Sequence, residues 1–409
     1  MSNGLGARNW EYLKYDPLDV VTISLNDGTT FKARIVQADL GDDWSMEYRL
    51  VSEDSAIYSD SAVLTAESGL GGGYDGTVYI PNLQASRVLL IDAPLLQDTD
   101  DNGRASSILY VSAAAGLGIG LWPGATVYQS ADGATWQPAA QVPFQPIWGT
   151  AVAPLSPPES PWLTDDVNTL VVNLANGAGQ LATITDLALL NGGNAALLIN
   201  ADSGDVEVIQ FRDVTVTGAN QLTLSYLLRG RRGTDTMMNN HAKGDAFIVP
   251  TAQTISTVNE PLSALATARY FRAITSGAVV ESGVSNAQTI NGRDLMPYAP
   301  VQQEVAISGS NLILSWERRT RLVGEWIDNN ESPPLAEDSE LYSVDIYSGS
   351  SVIRTVSVGG ATSFTYTAAQ IAADFGSIPA TLKWCVYQIS AQVGRGFGLV
   401  VTVDVPGRA

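Results

Sequence analysis

Val20-Val-Thr-Ile-Ser-Leu25, then Asn26-Asp27-Gly28, then Thr29-Thr-Phe-Lys-Ala-Arg-Ile-Val36, reads as one β-hairpin. Both arms are rich in β-branched residues, and the Asp-Gly pair supplies the positive φ angles that a tight hairpin turn needs. Asp39-Leu-Gly-Asp-Asp43 turns the chain again, into Trp44-Ser-Met-Glu-Tyr-Arg-Leu-Val51, which alternates apolar and polar with the period of a strand. Three strands in the first fifty residues predict a small β-module that closes near Tyr58.

The same punctuation continues along the chain. Glycines 69, 71, 72 and 73 mark a linker, and strands are expected at 87–93, 107–113 and 126–130. Ser156-Pro-Pro-Glu-Ser-Pro161 is the clearest break, and a module boundary is placed there. Beyond it, 169–174, 195–200, 206–211, 221–227 and 246–249 are strands at roughly ten-residue spacing, the pattern of a barrel or sandwich. The block from Pro300 onward has the size of one immunoglobulin-like sandwich, with seven expected strands and a short helix at Ala368–Phe375. The expected fold is therefore all-β: small barrel and sandwich modules in series, divided at 1–62, 63–155, 156–258, 259–298 and 299–409.

Composition narrows the functions available. Charged residues make up only 16% of the chain, and 42 acidic against 22 basic side chains leave a net charge of −20. Such a surface repels phosphate backbones and anionic lipid, so neither nucleic-acid binding nor membrane insertion is expected. No apolar run reaches the length of a membrane-spanning helix, and the first residues do not have the form of a secretion signal. A single cysteine, Cys385, excludes an intrachain disulfide framework, and a single histidine, His241, argues against His-rich metal centres.

Five features bear on chemistry. Asp98-Thr-Asp-Asp-Asn-Gly103 clusters hard oxygen donors (Asp98, Asp100 and Asp101) as a calcium loop does, but no bidentate acid follows at the matching spacing. A solvated acidic loop is the simpler reading. Ser130-Ala-Asp-Gly-Ala-Thr-Trp136 is similar to an Asp-box, a capped turn without chemistry of its own. Leu227-Leu-Arg-Gly-Arg-Arg-Gly-Thr-Asp235 is the most basic spot in an acidic chain. Its Arg229, Arg231 and Arg232 could fork onto an oxyanion, or meet acidic surface on a neighbouring subunit. His241, in a turn-like stretch, reads as a surface or capping residue. Among nine tryptophans, Trp316 and Trp384 fall at core positions, whereas Trp122, Trp148 and Trp162 are candidates for exposed contacts with a sugar or a partner.

Several of these stretches, taken in order, carry a resemblance. Asp166–Val172, Ala188–Leu198, Val206–Phe211, Leu222–Asp235 and His241–Val249 together resemble the C-terminal half of the large tail-tip (baseplate hub) proteins of siphophages and gene transfer agents. Tyr15–Ile23, Leu40–Trp44 and Glu53-Asp54 look like the hub-associated module upstream in that family. Ile313–Arg321, Gly324-Glu-Trp326 and Glu340–Tyr347 resemble its closing fibronectin-type-III-like module. The resemblance implies a virion protein, a homotrimer at the tail tip among other tail-tip proteins, made in the host cytoplasm. It implies a structural, non-enzymatic role without cofactor, in which host attachment is the task. Family members often begin with a hub region that sometimes includes a glycosidase-like barrel. This chain lacks that barrel, so half of a split protein without wall-degrading activity is expected. Two competitors remain: a lectin-like protein recognising host glycans, and an accessory chain of a glycoside hydrolase, which needs two apposed carboxylates in a cleft.

Overall fold

The computed structural model describes residues 4–7, 14–40, 46–53, 82–116, 120–322 and 333–406. These form six sheets, one closed into a barrel, with helices confined to short turns and two brief α-helices. The chain is all-β, as its sequence predicts. No helix among the described residues is long and apolar enough to cross a membrane.

Two compact units divide near residue 81. The first holds β1 (Gly4–Ala7), β2 (Val20–Ser24), β3 (Thr30–Leu40) and β4 (Met46–Ser52), antiparallel in the order β1-β4-β3-β2. The predicted hairpin is β2–β3, with Gly28 at φ 84° and the Asp27 carboxylate accepting the Thr29 N–H at 2.9 Å. Ile35, Met46 and Tyr48 bury one face. Tyr58, the glycine-rich linker and the division at residue 62 lie outside the described residues.

The second unit opens with β5 (Ser86–Ile91), β6 (Ser106–Ala115), β7 (Ala125–Ser130) and β8 (Gln137–Val142). A barrel follows, made of β9 (Ile147–Ala151), β10 (Leu170–Leu174), β11 (Ala195–Ile199), β12 (Val206–Val216), β13 (Gln221–Arg231) and β14 (Ala246–Val249), with α1 (Asp186–Leu190) before β11. The chain then returns to the first module through β15 (Ser256–Pro261), β16 (Ala268–Thr275) and β17 (Asn286–Thr289). β15 pairs with β6 and β16 with β7, which gives one sandwich of sheets β15-β6-β5 and β17-β16-β7-β8. Its core joins Val88, Leu109 and Val111 to Val127, Phe271 and Ala273.

The barrel is thus inserted into a sandwich, and the expected series of modules regroups in space. Segments 63–155 and 259–298 contribute to one sandwich rather than two modules, and Ser156–Pro161 loops out between β9 and β10, inside the barrel. Geometry makes the insertion cheap: β9 and β14 are neighbours, with Ile147 opposite Val249, so the inserted segment leaves where it enters.

The barrel interior is filled by Leu170, Val172, Leu198, Ile209, Phe211, Leu224 and Phe247. Its outer face buries Trp148, Leu197, Val206, Val208 and Ile248 against Ile91, Leu95, Ile108 and Tyr110 of the sandwich. Strands covered on both faces lose polar alternation, which is why 195–199 reads as a continuous apolar run, while 206–211 is buried throughout although it carries Glu207 and Gln210.

A carboxyl pair braces the sandwich where the chain leaves it. Asp92 accepts the Asn291 N–H at 2.9 Å, and Asp294 accepts the Ser107 hydroxyl at 2.8 Å and the Ile108 N–H at 2.9 Å. Burial, with the nearby Asp92 adding to it, pushes the Asp294 carboxyl up to about 6. A carboxyl raised in the folded state favours folding below its ordinary value of 3.8, and that advantage is lost as pH rises through about 6. Asp294→Asn removes the buried charge and keeps an acceptor for Ile108, while the Ser107 hydroxyl can turn to accept from the amide. The variant is expected to unfold at a midpoint a few degrees higher at neutral pH, corresponding to about 1–2 kcal/mol, with the gap narrowing below about 6 and closing as pH falls toward 3.8. Thermal melts across that pH range check it.

The last module contains β18 (Val301–Ser308), β19 (Asn311–Glu317), β20 (Leu341–Ser348), β21 (Ser351–Gly359), β22 (Ser363–Tyr366), α2 (Ala368–Phe375), β23 (Thr381–Ser390) and β24 (Gly394–Asp404). Sheets β18-β19-β22 and β21-β20-β23-β24 close over Leu314, Trp316, Tyr342, Val344, Trp384 and Val386. The module is a three-on-four β-sandwich, the architecture expected for it. Thr367 and Gln370 form a capping box that starts α2.

Candidate functional site

The basic segment at 227–235 leaves β13 and divides its arginines between two environments. Gly230 at φ 58°, Arg232 at φ 56° and Gly233 at φ 77° bend it. A Cβ on Gly233 would lie 2.2 Å from the Tyr298 ring, so the bend is pressed against the connection to the last module.

Arg229 turns inward and is 3% exposed. Expected as a contact for an outside anion, it is an internal ion-pair partner instead. Its Nε and Nη2 donate to the two oxygens of Glu207 at 2.7 and 2.8 Å. Nη1 reaches the Ser156 carbonyl at 3.0 Å and Asp165 at 3.3 Å, and Nη2 also reaches the Met238 carbonyl at 3.3 Å. All five guanidinium donors are thereby used.

Glu207 lies on β12 between Val206 and Val208, which face the sandwich, so strand alternation sends its side chain the other way. It also accepts the Gly230 N–H at 2.8 Å and faces His241 Nε2 at 2.7 Å. His241 Nδ1 lies 2.9 Å from Asp245, which is held in turn by the N–H groups of Ala242 and Ala201. His241 is therefore a buried network member, its side chain 2% exposed, and not the surface residue its turn-like surroundings suggest.

Both imidazole nitrogens face carboxylate oxygens, an arrangement that only the doubly protonated ring satisfies as donor. Burial opposes that charge, but the hydrogen bond and charge of Glu207, with Asp245 behind, raise the His241 pKa above 6.5. Burial likewise opposes the Glu207 charge, yet His241 and Arg229 hold its carboxyl below 4.5. The signs follow. The histidine's stabilisation is complete below about 6.5 and is lost as pH rises through its raised value; that of Glu207 is present above about 4.5 and is lost as pH falls through its lowered one.

Chemically this network is a lock. Every hydrogen-bonding position on Arg229 and His241 is taken from within the chain, and Glu207 is fully covered, so no position stands open to a substrate. Asp165, whose N–H and carbonyl bond Leu227, ties the 156–168 loop into the same knot.

Arg231 and Arg232 point outward. Arg232 donates to Asp98 at 2.6 Å. Arg231 donates to Gln210 at 3.1 Å and has no carboxylate partner among the described residues. Arg319, from the end of β19, joins them: it pairs with Asp235 at 2.7 Å and lies 5.4 Å from the Trp162 ring and 5.3 Å from the Tyr298 ring. Burial, then the charges of Arg232 and Arg319, lower the pKa of Arg231.

The tryptophan candidates separate as well. Trp162 is 58% exposed. Trp148, expected as a surface contact, is instead buried between barrel and sandwich with Arg87 over its ring at 5.2 Å. Trp122 is half-buried, packs on the sandwich core and donates to the Ser86 hydroxyl at 2.8 Å. The acidic loop is divided among partners: Asp98 with Arg232, Asp100 accepting the Tyr110 hydroxyl at 2.7 Å, and Asp101 near Arg321 at 3.9 Å. Among the described residues no three acidic, histidine or cysteine side chains are grouped to hold a metal. Asp132 caps the β7–β8 turn by accepting the N–H groups of Ala134 and Thr135 at 2.9 and 2.7 Å.

Residues 146–248 match the family described as Rcc01698-like, C-terminal. That range is the inserted barrel, Ile147 to Val249, to within one residue at each end. No curated protein matches the chain. Solved structures give distant likenesses. One is the glycoside hydrolase domain of Endo-D from Streptococcus pneumoniae R6, at 10% identity and a TM-score of 0.17, covering 63% of this chain and 32% of that one. The chain thus spans about a third of that domain's length. Another is the Ig1–Ig3 ectodomain of mouse nectin-like molecule 4, at 9% identity and a TM-score of 0.14, covering 99% of this chain and 95% of that one. Scores this low carry no argument about fold or activity.

Proposed function

We propose that this chain is a structural, non-enzymatic component of a phage-type tail tip, assembled as a homotrimer with other tail-tip proteins and serving host attachment. The observation that carries the reading is the coincidence of the inserted barrel with the Rcc01698-like match, a family whose name is of the gene-transfer-agent type. The ordered motifs that resemble tail-tip proteins fall on the strands of that same barrel. A barrel in which Arg229, Glu207, His241 and Asp245 are spent on one another suits a load-carrying part better than a reactive one.

The lectin-like alternative loses two of its three aromatic candidates, because Trp122 and Trp148 pack inside. Trp162 alone favours it. The test is location: gold-labelled antibody against the chain, applied to tailed particles and viewed by electron microscopy. Label at the tail end away from the head is expected. Particles that carry no label would overturn the proposal.

A further inference from the structure

One end of the sandwich is polar where its core columns call for apolar side chains. Residues two apart on a strand share a face. On β15, Val258 packs in the core and Glu260 comes next on that face; on β7, Val127 is followed by Gln129; on β16, Phe271 is preceded by Arg269. A carboxylate, an amide and a guanidinium thus point between the two sheets, and they line one cleft of about 300 Å³. That volume is at the lower end of the range for small-molecule sites.

The cleft holds acceptors that the fold does not satisfy. Glu260 is 4% exposed, and Arg269 Nε donates to its Oε2 at 3.2 Å, using one of the five guanidinium N–H groups. Glu260 Oε1 and Gln129 Oε1 are both buried and have no hydrogen-bond partner among the described residues. Burial raises the Glu260 carboxyl above its ordinary 4.5 more than Arg269 lowers it, so the fold compensates this charge only in part. An unpaired buried acceptor is costly, and two lining one cleft call for an explanation.

The mixture of groups selects the ligand. An apolar molecule would leave both acceptors unpaired. An anion would find Arg269 but also face Glu260 and Asp132, which lines the same cleft. A cation would pair with the acceptors but meet the Arg269 charge. A neutral ring carrying adjacent hydroxyls meets every requirement, because each hydroxyl donates to one oxygen and accepts from the guanidinium beside it.

We infer that this cleft binds a neutral sugar residue through its hydroxyls, with Glu260 and Gln129 accepting and Arg269 donating. The site stands on the sandwich alone and goes beyond the tail-tip reading without resting on it.

The test is saturation-transfer nuclear magnetic resonance on the full chain with glucose, galactose, mannose and N-acetylglucosamine. Each is offered free and as its methyl glycoside, beside n-butylammonium and acetate at the same millimolar concentration. At least one sugar is expected to bind, and neither ion. Glu260→Gln should weaken that sugar about tenfold or more, the loss of a charged acceptor, and Gln129→Met about fivefold, the loss of a neutral one. Both variants nearly keep the side-chain volume, and circular dichroism checks their fold; if one fails to fold, the other decides. Methyl glycosides that bind as well as free sugars would identify the ligand as the end of a glycan chain, whereas binding of free sugars alone would identify a soluble sugar. Failure of every sugar to bind overturns the inference, as does stronger binding of either ion or sugar binding that neither variant weakens. None of these results decides the tail-tip reading, which rests on where the chain is found on particles.

Discussion

Replacing Arg229 with methionine is expected to destabilise the barrel by about 3–5 kcal/mol, the loss typical of removing one partner from a buried ion pair. The size follows from what is left behind. Glu207 is fully covered and keeps only the Gly230 N–H and His241, while Asp165 loses its buried cation and the carbonyls of Ser156 and Met238 lose their donor. Methionine fills much of the volume, so the loss reports electrostatics rather than a cavity. Denaturant titration followed by tryptophan fluorescence would register it as a lower midpoint. A loss below about 1 kcal/mol would place Arg229 among exposed salt bridges, which contribute little.

Trp384→Ala is expected to cost about 3–5 kcal/mol in the last module, as deletion of a large buried aromatic does. Its ring is wholly buried, 6.2 Å from that of Trp316, which meets Tyr342 edge-on at 5.1 Å. Removing it opens a cavity between the two sheets that neither neighbour can fill without leaving its rotamer. The effect should stay within that module: near-ultraviolet circular dichroism from the Trp316 environment should flatten while signals from the barrel persist.

These two sites differ in how far the sequence reveals them. The last module was legible because its strands alternate cleanly and pair mostly with near neighbours; 311–317 shows strict in-out burial, and the helix bounds agree at both ends. The insertion was not legible. It depends on β6 pairing with β15, Ser107 opposite Glu260, a contact across the whole barrel that no local pattern signals. Strands such as 137–142, Gln-Pro-Ala-Ala-Gln-Val, have no periodicity to read.

At the candidate site, the basic segment stood out, but its division did not. Gly230 and the bend behind it reverse the sense of the following arginines, so Arg229 and Arg231 face opposite ways. Glu207, Asp165 and Asp245 were missed because each is one carboxylate among 42 acidic residues. One signal was available. Val206-Glu207-Val208-Ile209 sets a carboxylate inside a β-branched apolar run, and a charge in a buried strand must find a partner within the fold. His241 was read from its turn-like neighbours, when the relevant fact was the acid four residues later.

The closed state of this network is the centre of the account, and the protein offers one clean probe of it. His241 is the only histidine in the chain, so imidazole-labelled protein gives a single side-chain spin system in nuclear magnetic resonance. Its ring nitrogens should be followed from pH 5 to pH 9. A locked network predicts that both remain protonated at pH values above 6.5, where a free imidazole has lost its second proton, with slowly exchanging N–H signals. A neutral ring titrating near 6.5 and exchanging freely with water would contradict it, and would leave an accessible base where the account places a structural bond.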